Sequence, residues 1–170
     1  MRPIFLIAAC GMLSACMTED DWGNVEGPKV AVVNSAGASI GTAEMQPRSG
    51  GTYLRVEVQG LPPGEHGLHL HSVGRCEGPG FQSAGSHWNP ASKQHGHLNP
   101  QGAHLGDLPN MTVSSNGHGR LVFLVNVPAI ADADGTSLVI HAKADDYRTD
   151  PSGNSGDRIA CAVLAAPAQP

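Results

Sequence analysis

Seven of the nine histidines lie within one stretch of the chain, from His66 to Asp107. A neutral imidazole is a good ligand for copper and zinc, and a carboxylate among imidazoles is an ordinary zinc ligand. A single tetrahedral ion needs only four ligands, so a larger set means either two ions or one ion with spare histidines. The candidate ligands are the following seven residues: His69, His71, His87, His95, His104, Asp107 and His141.

Two of the candidate ligands have the spacing of neighbours on one face of a β-strand. In a strand over residues 67–71, His69 and His71 point to the same side, while the leucines next to them face the core. Most of the other ligands follow in residues 72–108, which show no helix or strand periodicity. A loop of this length in a compact domain is usually functional or disordered, and we expect a disulfide and a metal to order it. The remaining histidines are interpreted as surface residues: His66, His97 and His118.

The elements that must position these residues are short strands separated by turn residues. Alternating or β-branched runs between turn signals predict eight strands, at 29–33, 38–46, 53–58, 67–71, 111–115, 119–127, 136–142 and 158–164. A second long loop, 143–157, is rich in Asp, Gly, Ser and Pro. The pattern predicts an all-β fold, an eight-stranded Greek-key sandwich or flattened barrel of immunoglobulin-like type with two long functional loops.

The composition is that of one globular domain with many turns. Only 4% of the 170 residues are aromatic, whereas glycine (22) and proline (13) are plentiful. The net charge of −5 gives no basis for binding nucleic acid or an anionic membrane through charge. An anionic substrate would therefore need a local positive site.

The N-terminus has the features of an export signal. A positive charge at Arg2 precedes an apolar run, 4–13, that is far shorter than the roughly 20 residues needed to span a bilayer. The run ends in Leu-Ser-Ala-Cys16, which resembles the lipobox of bacterial lipoproteins, and the alternative is an ordinary cleavage site with an incidental cysteine. We expect a periplasmic protein made of a signal peptide (1–15), a tether lipid-anchored at Cys16 (16–28) and one domain (29–166).

The cysteines of the domain predict one disulfide bond. Cys10 and Cys16 belong to the leader and its cleavage point, so the domain keeps only Cys76 and Cys161. Two cysteines far apart in an exported chain favour a disulfide, because the compartment is oxidising and the closed loop is long. The alternative is a pair of free buried thiols.

Several segments together resemble the bacterial copper/zinc superoxide dismutases. The matching segments are 67–71, 83–90, 95–96, 104–110, 139–146 and 153–161. They follow the order of the family and nearly its spacing, and the resemblance covers almost everything from Lys29 to Leu164.

The resemblance implies a copper site and a zinc site that share one histidine. The implied copper ligands are His69, His71, His87 and His141, and the implied zinc ligands are His87, His95, His104 and Asp107. It also implies that Asp145 hydrogen-bonds a histidine of each site, that Cys76 pairs with Cys161, and that Arg158 is the catalytic arginine that attracts the substrate. One copper and one zinc ion per chain are the expected cofactors.

The activity implied by the resemblance is the dismutation of superoxide to oxygen and hydrogen peroxide. Cu(II) would oxidise one superoxide and Cu(I) would reduce the next, with His87 releasing copper and carrying a proton, while zinc has no redox role. The alternative is a non-catalytic copper/zinc carrier or storage lipoprotein, which would need neither Arg158 nor a shared histidine. Two further alternatives are an interaction lipoprotein whose metals only stabilise the fold and a copper-only dismutase. The presence of His95, His104 and Asp107 disfavours the copper-only type. A homodimer is a possible assembly.

Two features depart from the family pattern. The loop at 77–82 is longer than in eukaryotic members, and Asp157 precedes Arg158 where a small or neutral residue is expected. A carboxylate there could weaken the local positive field. Three cations near the site are candidates for guiding the substrate or are simply solvated surface charges: Arg75, Lys93 and Lys143.

Overall fold

The computed structural model describes residues 27–48, 50–127, 129–130 and 133–168. The predicted signal peptide, the lipidation at Cys16 and nearly all of the tether lie outside these residues and stay predictions. Over the described ranges, no helix combines the length and the apolar character needed to cross a membrane.

Nine β-strands form the framework of the described ranges. They are β1 (Lys29–Asn34), β2 (Ser39–Arg48), β3 (Gly51–Val58), β4 (Gly64–His66), β5 (Leu68–His71), β6 (Met111–Val113), β7 (Gly119–Val125), β8 (Thr136–His141) and β9 (Arg158–Ala165). All eight predicted strands are present, with ends shifted by one or two residues. The count of eight was wrong because β4, at three residues, is too short to show an alternating pattern. One turn of 3₁₀ helix, Gln82–Ala84, lies in the first long loop.

The strands form one antiparallel sheet that curls into a nearly closed barrel. The order across the sheet is β4-β6-β7-β3-β2-β1-β9-β8-β5. Its two edge strands, β4 and β5, are consecutive in the chain, with only Gly67 between them. The all-β architecture predicted from the sequence is therefore confirmed, in the form of a barrel.

The barrel is filled by side chains that alternate along the strands. Leu54, Val56 and Val58 of β3 are buried and meet Leu68 and Leu70 of β5 in one apolar cluster. Full burial of each such side chain stabilises the fold by about 1.5–3 kcal/mol. The predicted parity of β5 is confirmed, since its leucines enter this core while its histidines point to the opposite face.

The first long loop continues the sheet beyond β5. The Trp88 amide donates to the Leu70 carbonyl, and the Leu70 amide donates to the Gly106 carbonyl, both at 2.8 Å. A Cβ at Gly106 would lie only 2.5 Å from the Leu70 oxygen, so this close approach requires glycine. Backbone pairing with β5 thus places the loop residues directly over the histidines of that strand.

Candidate metal centre

The seven candidate ligand side chains converge on the outer face of β5. His69 lies opposite Asp107, and His71 lies opposite His87, each in an isolated antiparallel bridge between β5 and the loop. His141 ends the neighbouring strand β8, where the register with β9 shifts. The sequence therefore placed the two histidines of β5 correctly, and backbone pairing brings the loop residues to them.

Three of the histidines each keep one buried ring nitrogen without a hydrogen-bond partner. These atoms are Nδ1 of His69, Nε2 of His71 and Nε2 of His141. The other ring nitrogen of each is held, by the Asp145 carboxylate (2.8 Å), the Gly85 carbonyl (3.0 Å) and the Gly156 carbonyl (3.1 Å), respectively.

A cation bound at this place would account for these unpaired nitrogens. A buried polar atom without a partner costs about 1–3 kcal/mol, so three together are a large penalty that a metal ion would relieve. Together with His87, these histidines offer ligand atoms that all lie within 4.8 Å of one another. An all-imidazole set of this kind suits copper.

A second group of donors surrounds the Asp107 carboxylate. Its Oδ1 lies 3.0 Å from Nδ1 of His87, and 3.1 Å from Nδ1 of both His95 and His104. The His104 and His87 nitrogens are 3.3 Å apart. These separations are close to the roughly 3.3 Å edges of a tetrahedron with zinc bonds of about 2.0 Å. The donor set of three imidazoles and one carboxylate therefore fits zinc.

His87 lies between the two groups. The rings of His69 and His87 stack with their centroids 3.9 Å apart, which also brings His69 within 4.8 Å of the donors of His95 and Asp107. His69 fits the first group better, because its unpaired Nδ1 belongs there while its Nε2 is bound to Asp145. Since Nδ1 of His87 faces Asp107, its Nε2 is the nitrogen left for the first group.

Asp145, which is buried, connects the two groups. Its carboxylate accepts hydrogen bonds from Nε2 of His69 (2.8 Å) and from Nε2 of His95 (3.0 Å). A Cβ at Gly153, which has a φ of +62°, would overlap this carboxylate at 1.8 Å. The second long loop therefore needs glycine at this position to let Asp145 reach both histidines.

The histidines of the first group are held neutral. Burial lowers the pKa of His69 to about 3 and that of His141 to about 4, even though hydrogen bonds to Asp145 and Gly156 act in the opposite direction. Burial lowers the pKa of two more members: His71 and His87. Neutral imidazoles are ready to bind a metal without first losing a proton.

The second group has the opposite electrostatic character. Burial alone would lower the pKa of His95, but hydrogen bonds to Asp107 and Asp145 outweigh it and raise that pKa to about 9. Burial likewise opposes ionisation of the two carboxyl groups, yet hydrogen bonds from the histidines hold the pKa of each well below its usual range. The paired negative charges favour a cation at this place.

Metal removal should make the protein sensitive to mild acid. Between about pH 6.5 and pH 4, the histidines of an unfolded chain take up protons that buried His69 and His141 cannot. The unfolded state then binds more protons, so the free energy of unfolding falls as the pH falls. His95 does not reverse this, because its raised pKa costs stability only as the pH rises from 6.5 towards 9. Urea midpoints of metal-depleted protein should drop from pH 7 to pH 5, and equal midpoints would contradict the argument.

Arg158 is held beside the first group by two carbonyl oxygens. Its guanidinium donates to the carbonyls of Phe81 and Gly85, both at 2.8 Å. The Gly85 oxygen also accepts from Nδ1 of His71, so one carbonyl orients both the arginine and a candidate ligand. Partial burial lowers the pKa of Arg158, yet this side chain remains charged at any physiological pH.

A cleft of about 620 Å³ gives access to this region. Its lining includes His87, His141 and Arg158, with Asp157 beside the arginine. The positive group, the neutral histidines and open solvent therefore meet at one place. A small anion that enters the cleft can reach Arg158 and the first group together.

The disulfide between Cys76 and Cys161 is present, as predicted. It joins the first long loop to β9, the strand that begins with Arg158. Phe81 lies in the same loop, five residues after Cys76, and its ring is buried against Cys161 in a small apolar cluster. The disulfide and this cluster fix the carbonyls that orient Arg158.

His66 was wrongly predicted to lie at the surface. It is only 2% exposed, with Nδ1 2.7 Å from the His141 carbonyl and Nε2 2.8 Å from the Pro62 carbonyl. The ring thus ties the end of β4 to a candidate metal ligand. A strand of three residues is too short to show a pattern that would have predicted this burial. His97 and His118 are exposed, as predicted.

Comparison with known proteins identifies the family. The sequence model described as copper/zinc superoxide dismutase (SODC) matches residues 39–164. "Superoxide dismutase [Cu-Zn] 1" of Aquifex aeolicus is 41% identical over 142 residues, which cover 78% of this chain and 84% of the relative. "Superoxide dismutase [Cu-Zn]" of Caulobacter vibrioides is 40% identical over 145 residues, which cover 79% and 83%.

Solved structures agree with these sequence matches. A SOD-like protein from Bacillus subtilis is 39% identical, with a TM-score of 0.77 over 81% of this chain and 99% of that one. The Cu/Zn superoxide dismutase from Brucella abortus is 30% identical, with a TM-score of 0.67 over 82% and 99%. Fold, sequence and the donor sets on β5 and its loops therefore agree, and the chain belongs to the copper/zinc superoxide dismutase family.

Proposed function

We propose that this protein dismutates superoxide to oxygen and hydrogen peroxide, with one copper and one zinc ion per chain. The observation that carries the proposal is the set of three buried, unpaired ring nitrogens of His69, His71 and His141 next to a cleft that holds Arg158. The names of the relatives from Aquifex aeolicus and Caulobacter vibrioides support the same activity.

The two donor groups divide the metals between them. Copper would be held by His69, His71, His87 and His141, and zinc by His87, His95, His104 and Asp107. Copper, when bound, supplies a centre that is alternately reduced and oxidised by superoxide. Zinc has no redox chemistry, so its group serves to order the loop and to fix His87.

The protein's own residues bind the substrate and move the proton. Arg158 attracts the superoxide anion and donates hydrogen bonds to it. The carbonyls of Phe81 and Gly85 use only part of the N–H donors of its guanidinium, so others are left for the substrate. His87 lines the cleft, and its Nε2 is the atom that would carry a proton to the reduced product. Asp145 keeps His69 in the tautomer that leaves Nδ1 free for the metal.

Metal analysis combined with a superoxide assay tests the proposal. Purified protein should contain close to one copper and one zinc per chain and should accelerate superoxide decay. Selective copper removal should abolish the activity, and copper reconstitution should restore it. Full loading with both metals and no activity would overturn the enzyme proposal in favour of a copper/zinc carrier.

Replacing Arg158 with alanine should lower the rate constant for superoxide by about tenfold or more, because the positive charge held beside the first group is lost. The dependence of the rate on salt should weaken as well, while bound copper and its absorption spectrum stay the same. Arg120→Ala is the control, since Arg120 pairs with Glu57 at the barrel surface. An unchanged rate in Arg158→Ala would show that this arginine does not attract the substrate.

We also propose export and a lipid anchor at Cys16. The leader and its lipobox-like end support this proposal, although they lie outside the described residues. Cys16→Ser should move the protein from the membrane fraction to the soluble periplasmic fraction of a bacterial host. A protein that remains in the membrane fraction would contradict lipidation at this residue. A homodimer stays a prediction, which sedimentation velocity of the protein without its leader would test.

A further inference from the structure

We propose that Asp157 acts as a charge filter at the cleft: its negative charge lowers the attraction of divalent anions to Arg158 more than that of small monovalent anions. The inference rests on the proposed function, because it concerns the selection of superoxide among competing anions. It assigns a selective role to a residue that departs from the family pattern.

Asp157 and Arg158 carry the only full charges among the residues that line the cleft in the described part of the chain. Arg158 is held by the neutral carbonyls of Phe81 and Gly85, and the described ranges contain no ion pair between it and a carboxylate. Its charge is therefore not cancelled by direct contact. Asp157 is exposed, and its negative charge acts on the cleft from the position next to Arg158 in the chain.

The backbone keeps Asp157 at this place. Its carbonyl accepts a hydrogen bond from the Ala142 amide at 2.8 Å, directly after His141. The preceding residue, Gly156, has a φ of +77°, and its carbonyl accepts from Nδ1 of His141. Asp157 thus lies between Gly156, whose carbonyl holds His141, and Arg158. Hydrogen bonds of the backbone fix its position.

One nearby cation lies outside the cleft. The aliphatic part of Lys143 runs alongside Gly156, with carbons 3.4–3.7 Å from where a Cβ would stand. Lys143 is not a lining residue of the cleft and forms no ion pair with Asp157 within the described ranges. The side chains of the lining therefore have formal charges that sum to zero, to which a bound metal ion would add positive charge.

Asp157 acts on anions according to their charge. It weakens the long-range field of Arg158, whereas the hydrogen bonds that the guanidinium donates act only at contact and are retained. Without Asp157 the cleft would be more positive by one unit charge, and a divalent anion would gain twice as much from that charge as a monovalent one. A unit charge about 8 Å away in water changes the affinity of a monovalent anion about twofold and that of a divalent anion about sixfold.

Anion binding to the copper- and zinc-loaded protein tests this inference without a superoxide assay. Azide binding, followed by the change in copper absorption at low ionic strength, should tighten about twofold in Asp157→Asn. Phosphate, measured by its displacement of azide at pH 8, should bind about sixfold more tightly. Both differences should shrink at 0.15 M salt. Asp157→Glu should behave as the unmodified protein, since it keeps the charge.

Glu57→Gln is the matched control, because it removes one negative charge from β3, outside the cleft. Unchanged azide and phosphate affinities in Asp157→Asn would overturn the inference. Equal changes in Asp157→Asn and Glu57→Gln would overturn it too, since net charge alone would then be responsible. A selective change in Asp157→Asn, in a protein that does not dismutate superoxide, would support the filter and reject the proposed function.

Discussion

Replacing Cys76 and Cys161 together with serine should lower the free energy of unfolding by about 4.5 kcal/mol. The disulfide joins residues 85 positions apart, and closing a loop of that length removes about this much chain entropy from the unfolded state. Single domains have total stabilities of about 5–15 kcal/mol, so the loss is a large share. Urea unfolding of the metal-depleted double variant, compared with the unmodified protein under oxidising conditions, measures it.

Two observations separate the disulfide from other effects of the substitutions. Reduced unmodified protein should unfold at nearly the same urea concentration as the double variant. The loop that carries the Phe81 and Gly85 carbonyls should also loosen, so activity should fall even where the variant is fully folded and loaded with metal. A loss below about 1 kcal/mol would show that the unfolded chain gains little freedom when the bond is absent.

Asp145→Asn should weaken the binding of at least one metal by about tenfold to a hundredfold. The carboxylate accepts hydrogen bonds from His69 on one oxygen and from His95 on the other. An amide can accept on only one side, and its NH₂ group would face the N–H of the other histidine. That histidine must then turn or change its tautomer, which removes a nitrogen from the metal.

Competition with chelators of known affinity, carried out for copper and zinc separately, measures the effect of Asp145→Asn. Asp146→Asn is the matched control, because the neighbouring carboxylate is exposed and bonds only to residues of its own loop. Its metal affinities should stay within about twofold of the unmodified protein. Unchanged affinities in Asp145→Asn would mean that the rings are oriented by packing alone.

Most of the fold followed from local patterns. Alternation in β3 and in β5 has a period of two, and it places Leu54, Val56 and the leucines of β5 in the core. Turn residues separate the longer strands, so the strand boundaries were predictable to within two residues. The strand β4 was missed because three residues contain less than two repeats of the pattern, and only pairing with β6 makes them a strand.

The members of the candidate site were predictable because histidine is infrequent and seven of the nine lie between His66 and Asp107. That Asp145 connects the two groups of ligands was predicted only from the resemblance to the family. The hydrogen bond between His69 and Asp145 joins residues 76 positions apart, which no local pattern predicts. The burial of His66 was not predicted at all. Its partners are backbone carbonyls, including that of His141 75 positions away, and a carbonyl leaves no trace in residue identity.

The sequence by itself determined which side chains can bind metal, which face of β5 carries two of them, and which cysteines can pair. These properties depend on residue type and on spacing along a strand, both of which are local. The tertiary structure decided which nitrogen of each ring remains unpaired, how the long loop attaches to β5, and that Asp157 lines the same cleft as Arg158. Those results depend on contacts between segments that are distant in the chain. The contacts form only when the barrel closes, so no single segment determines them.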